Sequence, residues 1–475
     1  MKRSVLCFIL IIATTNLFSQ TTAIPDANFE QALIDQSIDT NGLNGNILNS
    51  DAEAVLYLFV QSSGITDLTG IEAFTALIVL NCSSNALTNL SLTQNLALSN
   101  LSCQSNNLAS IDVTQNAALT SLHLVFNSLT SIDVTNNIAL VNLNLYGNQL
   151  TSLDVTQNTA LTTLTLLSNQ LASLDITQNT ALTNITCEYN QITSLDVTQN
   201  TLLTNLNCAH NLITSIDVTQ IPGLINLNCA FNQLPSLDVT QNPVLTILSF
   251  GANQIMNIDV TQNTILETLW FHNNQISSVD VTQNIELTSL YFPDNAISSI
   301  DVTQNVLLTE FGGSNNLFSE LNLSMNPVLT TIGVNDNMLE SLNVQNGNNT
   351  NVISFNTLSN PNLECVTVDD IVYSNTNWMN IDIQTSFNDD CEALSVQDYE
   401  INNIEVFPNP ANNVITIAIN ENVSYKIVNN LGQEILNGHL LNGTNELNIA
   451  DLQSGVYFIN FSTATKAVTY KLLKK

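Results

Sequence analysis

The sequence predicts a β-rich solenoid with short parallel strands, closed by a helical N-terminal cap and followed by a small C-terminal β-sandwich. Three observations predict it. Asparagine, leucine and aspartate recur every 21 residues from Ser91 to Asn343, in thirteen in-phase copies. Inside each copy apolar residues alternate with polar ones, the mark of a strand with one buried face. Past Cys391 the period is gone and the composition changes.

The chain opens "MKRSVLCFILIIATTNLFSQ", with a basic start, an apolar run from Val5 to Ala13 and a small Ser19 before Gln20. This reads as a secretory signal peptide over residues 1–19. The apolar run is too short to span a bilayer, and no later stretch approaches the required length. The mature protein is therefore expected outside the cytoplasm, with no transmembrane segment. Residues 20–78 read as a cap and a first, slightly longer repeat, "GITDLTGIEAFTALIVLNCSSN". In the cap, "IPDANFEQALIDQSI" is a short amphipathic helix placed to cover the open end of an apolar core. The stretch "DTNGLNGNILNSD" invites a calcium-loop reading. It has Asn44 where the glycine of such a loop belongs and Ser50 where a bidentate Glu is wanted, so it reads as a turn-rich connector.

Residues 79–347 hold the repeat. Ten aspartates, from Asp112 to Asp301, mark one fixed position, with Ser91, Asn322 and Asn343 in the same frame. Six residues before that frame position stands an asparagine without exception, Asn85 to Asn337. Four residues after it stands a second, Asn95 to Asn326, broken only by Ile221. A period of this length means one coil per copy, each unable to bury its apolar side until neighbours stack on it. The inward asparagines satisfy backbone groups left unpaired where the coil turns. The pattern L-x-x-L-x-[LC]-x-x-N-x-L-x-x-L-D-V-x-x-N resembles the leucine-rich repeat family, in particular its bacterial class with 21-residue repeats. The resemblance implies parallel strands and a superhelical stack.

Composition narrows the partners. Forty acidic residues face seven basic ones, a net charge of −33, and no Lys or Arg occurs between Ser4 and Tyr425. Such a surface repels phosphate backbones and anionic lipid, so nucleic acid is excluded as a partner. Cationic proteins, metal ions and neutral glycans remain.

Cys82, Cys103, Cys187, Cys208 and Cys229 all fall nine residues before the frame position, where other copies have Leu or Phe. They read as buried, inert thiols in a row. Cys365 and Cys391 are off the frame, in an exported chain, and read as a disulfide closing a C-terminal cap over residues 348–395. The "LDV" aspartates point away from the core because their neighbours point in. Three uses are open to them: a solvated stripe, a row of cation sites with calcium the natural occupant, or a carboxylate pair for glycan chemistry. Because the copies are nearly identical, no one pair is marked as catalytic. No cofactor is expected, and no metal site outside that stripe.

The copies differ at outward positions ten, eight and seven residues before the frame. His123, Phe126, Tyr146, Tyr189, His210, Phe231, Trp270, His272 and Tyr291 collect there, alongside Val125 and Pro293. A scaffold alone has no need of aromatics on its surface, whereas a recognition face does. They are the candidate ligand-binding residues.

Residues 396–475 read as short strands and turns. Phe407-Pro408-Asn409-Pro410-Ala411, Leu431-Gly432-Gln433, Ser454-Gly455-Val456-Tyr457-Phe458 and Lys471-Leu472-Leu473-Lys474-Lys475 resemble, in order, the C-terminal sorting domain of the type IX secretion system of Bacteroidetes. The resemblance implies passage through the periplasm and across the outer membrane by that machinery, then release or retention at the cell surface. Pro408, Asn409, Pro410, Gly455, Tyr457, Lys474 and Lys475 carry the signal in this reading. The expected function is non-catalytic binding or adhesion to a protein or polysaccharide. A polysaccharide-active enzyme and a purely structural surface component are the alternatives.

Overall fold

The computed structural model describes residues 21–391, 404–463 and 467–475, so the predicted signal peptide lies outside the described residues. The chain forms two compact units that part between Asp389 and Asp390.

The first unit is the stack of coils. Among the described residues, fifteen three-residue strands from Tyr57–Phe59 to Ser354–Asn356 form one parallel sheet. The register advances by one repeat at each step, so Leu143 faces Leu164, then Ile185, then Leu206. The central residue of each strand points inward and is buried, while its two neighbours face outward. Strands stop after three residues because the coil must then turn. The turn residue lies just before each invariant asparagine and has φ between +50° and +70° in every copy from Ser84 to Asp336.

Both asparagine columns exist, and they differ in what they hold. In the first, Asn169 accepts the N–H of Leu150 on its Oδ1 (3.1 Å). Its Nδ2 donates to the carbonyls of Leu145 (2.9 Å) and Leu166 (3.1 Å). In the second, Asn179 donates from Nδ2 to Val155 and Asn158, both at 2.9 Å. Its Oδ1, like those of its neighbours in the column, takes no hydrogen bond.

The interior between the columns is apolar throughout. Phe250, Phe271 and Phe292 stack face to face with centroids 5.5 and 5.3 Å apart. Five cysteines, Cys82, Cys103, Cys187, Cys208 and Cys229, are free and buried in the same column. Burial pushes the Cys208 thiol up to about 12 and those of Cys82, Cys187 and Cys229 well above the ordinary range. A thiol that resists ionisation is neither nucleophile nor ligand. On the aspartate side a second parallel sheet forms only toward the C-terminal end, from Glu320–Asn322, Ser341–Asn343, Cys365–Thr367 and Ser386–Asn388.

Both ends of the core are covered. The predicted cap helix spans Ala27–Asp35, with Phe29 and Leu33 fully buried. Asp26 starts it by accepting the N–H groups of Asn28 and Phe29 on one oxygen, and fastens it by accepting those of Thr66 and Asp67 on the other. At the far end a helix over Ile371–Asn377 leads into Trp378, which stacks on Phe355 at 4.1 Å and meets Phe387 edge-on. Cys365 and Cys391 form a disulfide, as the sequence predicts.

The second unit is a sandwich of two antiparallel sheets. Glu405–Phe407, Val414–Ile419 and Gly443–Asn448 make one, and Glu434–Leu440, Val423–Asn429, Gly455–Ser462 and Ala467–Lys474 the other. Ile415, Ile417, Ile427, Ile459, Phe461 and Leu472 fill the space between them. No helix among the described residues is long and apolar enough to cross a membrane.

Candidate binding surface

The aspartate column is exposed, as its place between two inward residues requires. It is also engaged locally, which the sequence reading missed. Asp154 Oδ1 accepts both the hydroxyl (2.7 Å) and the N–H (2.9 Å) of Thr156, and the same pair of bonds recurs at every aspartate of the column. Each "DVT" is thus a side-chain-closed turn. The threonine hydroxyl first, then its N–H, hold Asp112, Asp133, Asp154, Asp196, Asp217, Asp259, Asp280 and Asp301 below their ordinary value of 3.8. A carboxyl whose folded pKa is depressed stabilises the fold above its unfolded pKa and loses that contribution as pH falls through the folded value. The melting temperature is therefore expected to hold steady above about pH 5 and to decline below about pH 4. A thermal melt series across that window checks it, and replacing Thr135, Thr156 and Thr198 by valine should soften the decline.

Among the described residues no three His, Cys, Asp or Glu side chains gather as a metal-holding group.

The variable positions occupy the strand face and the corner beside it. His123, Trp270 and Tyr291 end their strands, Tyr146 and His272 lie two residues on, and Phe126, Tyr189, His210 and Phe231 occupy the corner itself. Val125 and Pro293, expected to face outward, are buried instead, whereas Tyr146 and His272 at the same phase stay half exposed.

The structure assembles the rings into two patches. In the smaller, Phe126 and Tyr146 lie 4.6 Å apart, with His123 on the neighbouring strand bonded to Ser121 at 2.8 Å. Ser168, at the corner of the next coil but one, ends this patch. The larger runs from Tyr189 to Tyr291. Tyr189, His210 and Phe231 stack at 4.1 Å per step, Phe231 meets His272 at 5.5 Å, and His272 meets Tyr291 at 6.1 Å. Trp270 stands in the strand beside Tyr291 and donates to Ser289 Oγ at 2.8 Å, which donates in turn to Glu310 at 2.6 Å. Trp270 also bounds a shallow groove on the strand face, lined by Asn205, Asn207, Asn226, Asn228 and Ser249.

Three glycines make room for these rings. A Cβ on Gly251 would stand 2.2 Å from the His272 ring, one on Gly312 2.4 Å from Tyr291, and one on Gly147 2.6 Å from Phe126. Ring and glycine come from adjacent coils in each case, so the rings lie against backbone. Burial holds the His123 and His272 imidazoles below their ordinary pKa, so both are uncharged at neutral pH.

In the second unit Asn409 joins the two ends of the sandwich. Its Nδ2 donates to the Lys471 carbonyl (2.6 Å) and its Oδ1 accepts the Leu473 N–H (2.9 Å). Gly455 pairs with Lys474 across the last two strands, and the Tyr457 hydroxyl donates to the Gln453 carbonyl at 3.1 Å.

Residues 405–475 match the family model of the secretion system C-terminal sorting domain. No curated protein matches the chain. Among solved structures, the chain is similar to the functional domain of InlJ from Listeria monocytogenes, which includes a cysteine ladder. The two are 28% identical over 96% of this chain and 99% of that one, with a TM-score of 0.69. It is similar also to an internalin, InlF, of the same organism, at 25% identity, 66% and 97% coverage and a TM-score of 0.59. A leucine-rich repeat protein of Leptospira interrogans matches at 26% identity, 58% and 76% coverage and a TM-score of 0.54. Parallel coils of 21 residues, like those of its solved neighbours, give this chain a leucine-rich repeat fold, and the matched tail is a secretion system C-terminal sorting domain that addresses it to the cell surface or the exterior.

Proposed function

We propose that the chain is an exported, non-catalytic binding protein that captures a polypeptide ligand on the aromatic face between Tyr189 and Tyr291. One observation carries this reading. Tyr189, His210 and Phe231 occupy the positive-φ corner of three successive coils, where most other copies place a small or polar residue: Ser84, Ser105, Gly147, Ser168, Ala252, Asn273, Asp294, Asn315 or Asp336. The corner therefore turns without a ring. Tyr189 and Phe231 remain 52% and 44% exposed although they stack on His210 between them. Large rings left half in solvent at a position that small residues fill equally well support use by a partner.

A polypeptide is favoured over a polysaccharide because stacking turns the faces of these rings toward one another and leaves edges outward. Sugars pack on open ring faces. The absence of Lys and Arg from the coils adds that the ligand carries basic groups. The leucine-rich repeat fold of the neighbours supports binding as the general role, and the sorting domain supports the secretion machinery as the other partner. Asn409, Pro408, Pro410, Gly455, Tyr457, Lys474 and Lys475 are proposed as the signal read by that machinery.

The test is an array of surface proteins and polysaccharides probed with the full chain and with a Trp270→Ala, Tyr291→Ala, Phe231→Asn variant. Capture of a protein, weakened at least ~30-fold by the triple change at unchanged melting temperature, is the expected result. Capture of polysaccharides alone sinks the polypeptide assignment. Turnover of any glycan that a single Asp→Asn change in the column abolishes would make the chain an enzyme. No capture leaves a structural component.

A further inference from the structure

The N-terminal cap contains polar chemistry that the aromatic face does not use. The segment from Asp39 to Asp51 folds back across the cap helix. Glu30, on that helix and almost fully buried, accepts on one oxygen the N–H groups of Asn44 (2.7 Å), Gly45 (2.7 Å) and Asn46 (3.2 Å). Asp51 accepts the N–H and hydroxyl of Thr40, at 3.1 and 2.6 Å. Asn41 donates from Nδ2 to Asn46 Oδ1 at 3.1 Å, which closes the loop on itself.

Asp39 belongs to this loop and is only 4% exposed. Its Oδ1 accepts the Asn41 N–H at 3.0 Å. Its Oδ2 is sealed from solvent and receives no hydrogen bond, and the same is true of Asn41 Oδ1. Two buried acceptors on residues two apart in sequence, one of them an acid, each lack a donor. An ionised oxygen in that position is strongly unfavourable unless positive charge reaches it. No Lys or Arg among the described residues of this unit supplies that charge, since none lies between Ser4 and Tyr425.

We propose that Asp39 Oδ2 and Asn41 Oδ1 are ligands of a calcium ion bound in the N-terminal cap, completed by carbonyl oxygens of the loop and by water. The donor chemistry selects the ion. All available ligands are oxygens, which excludes zinc, and a mobile set of amide and carbonyl oxygens suits the loose coordination of calcium better than the rigid octahedron of magnesium. Gly42 and Gly45, with φ of +82° and +83°, let the loop backbone turn its carbonyls as needed. This ligand set differs from the helix–loop–helix calcium loop that the sequence fails to match, because it uses no twelfth-position Glu. Binding fastens the loop to the helix that closes the core, so the ion acts on the stability of the cap.

Calorimetric titration of the full chain with calcium chloride, after chelator treatment, tests the site. One ion per chain is expected, with a rise of a few degrees in melting temperature at millimolar calcium and little response to magnesium. Asp39→Asn and Asn41→Ala should each abolish both effects, while Asp154→Asn leaves them intact. If Asp39→Asn fails to fold, Asn41→Ala carries the test, because its side chain is only half buried. Absence of any calcium effect in the unaltered chain would mean that a proton occupies the pair, and would overturn the proposal. Binding that survives both loop changes, or a stoichiometry near ten that points to the aspartate column, would overturn it equally.

Discussion

Asn169→Ala is expected to destabilise the coils by about 3–5 kcal/mol, far more than its surface-adjacent place suggests. The side chain is 8% exposed and serves three backbone groups at once. Truncation leaves the buried Leu150 N–H without an acceptor and removes one of the two asparagine donors from each carbonyl, Leu145 keeping Asn148 and Leu166 keeping Asn190. An unpaired buried polar group costs about 1–3 kcal/mol, so the N–H alone is decisive. Denaturant titration followed by circular dichroism checks the size of the effect. The comparison that makes it specific is Asn179→Leu in the other column. Asn179 only donates, and its own oxygen is unpartnered, so apolar replacement removes an unsatisfied atom along with two bonds. The expected loss is about half as large. The chain already contains this experiment at Ile221, which sits fully buried in the second column with intact coils on either side. Equal losses at the two sites would refute the distinction.

Phe271→Ala should cost a further ~3–5 kcal/mol, by a different mechanism. Phe271 is fully buried between Phe250 and Phe292, with centroids at 5.5 and 5.3 Å. Its removal opens a cavity that the neighbouring coils cannot collapse into, because their positions are fixed by the strand register above and below. In a stack where each coil touches only its neighbours, the loss is also spatially confined. Hydrogen exchange should therefore quicken in the three coils around residue 271 and remain slow near Leu122 and Leu143. Exchange that quickens uniformly would show the stack to melt as one unit, against this account.

Much of this was legible in advance because the repeat turns sequence distance into spatial adjacency. Knowing that Leu143 and Leu164 share a phase is knowing that they touch, and the same logic placed the thiols of Cys187, Cys208 and Cys229 in one dry column. The N-terminal helix was legible from Asp26 followed by an apolar face containing Phe29 and Leu33. Less visible was the left-handed corner. Gly147, Asn273, Asp294, Asn315 and Asp336 at that phase tolerate positive φ, but Ser84, Ser105, Ser168 and Ala252 share it and blur the signal. All nine are small or polar, and against them Phe126 and the rings at 189, 210 and 231 stand out as departures. The "DVT" turn was equally readable as a side chain closing on its own backbone, but a repeated charge draws attention to solvent first. The glycine sockets under Phe126, His272 and Tyr291 could not be seen, since they depend on which way each ring leans.

The uniform register has one more outcome. Apart from the coil of Ile221, any coil between Asp112 and Asp301 meets its successor through the same bonds at the same phase. Excising or inserting 21 residues, at whatever point the cut falls, joins two surfaces that already match, whereas a change of 20 or 22 would put leucine where threonine belongs along every later rung. The protein is thus a ruler with interchangeable graduations: its reach can lengthen or shorten by whole marks while both stoppers and the address on its tail stay as they are.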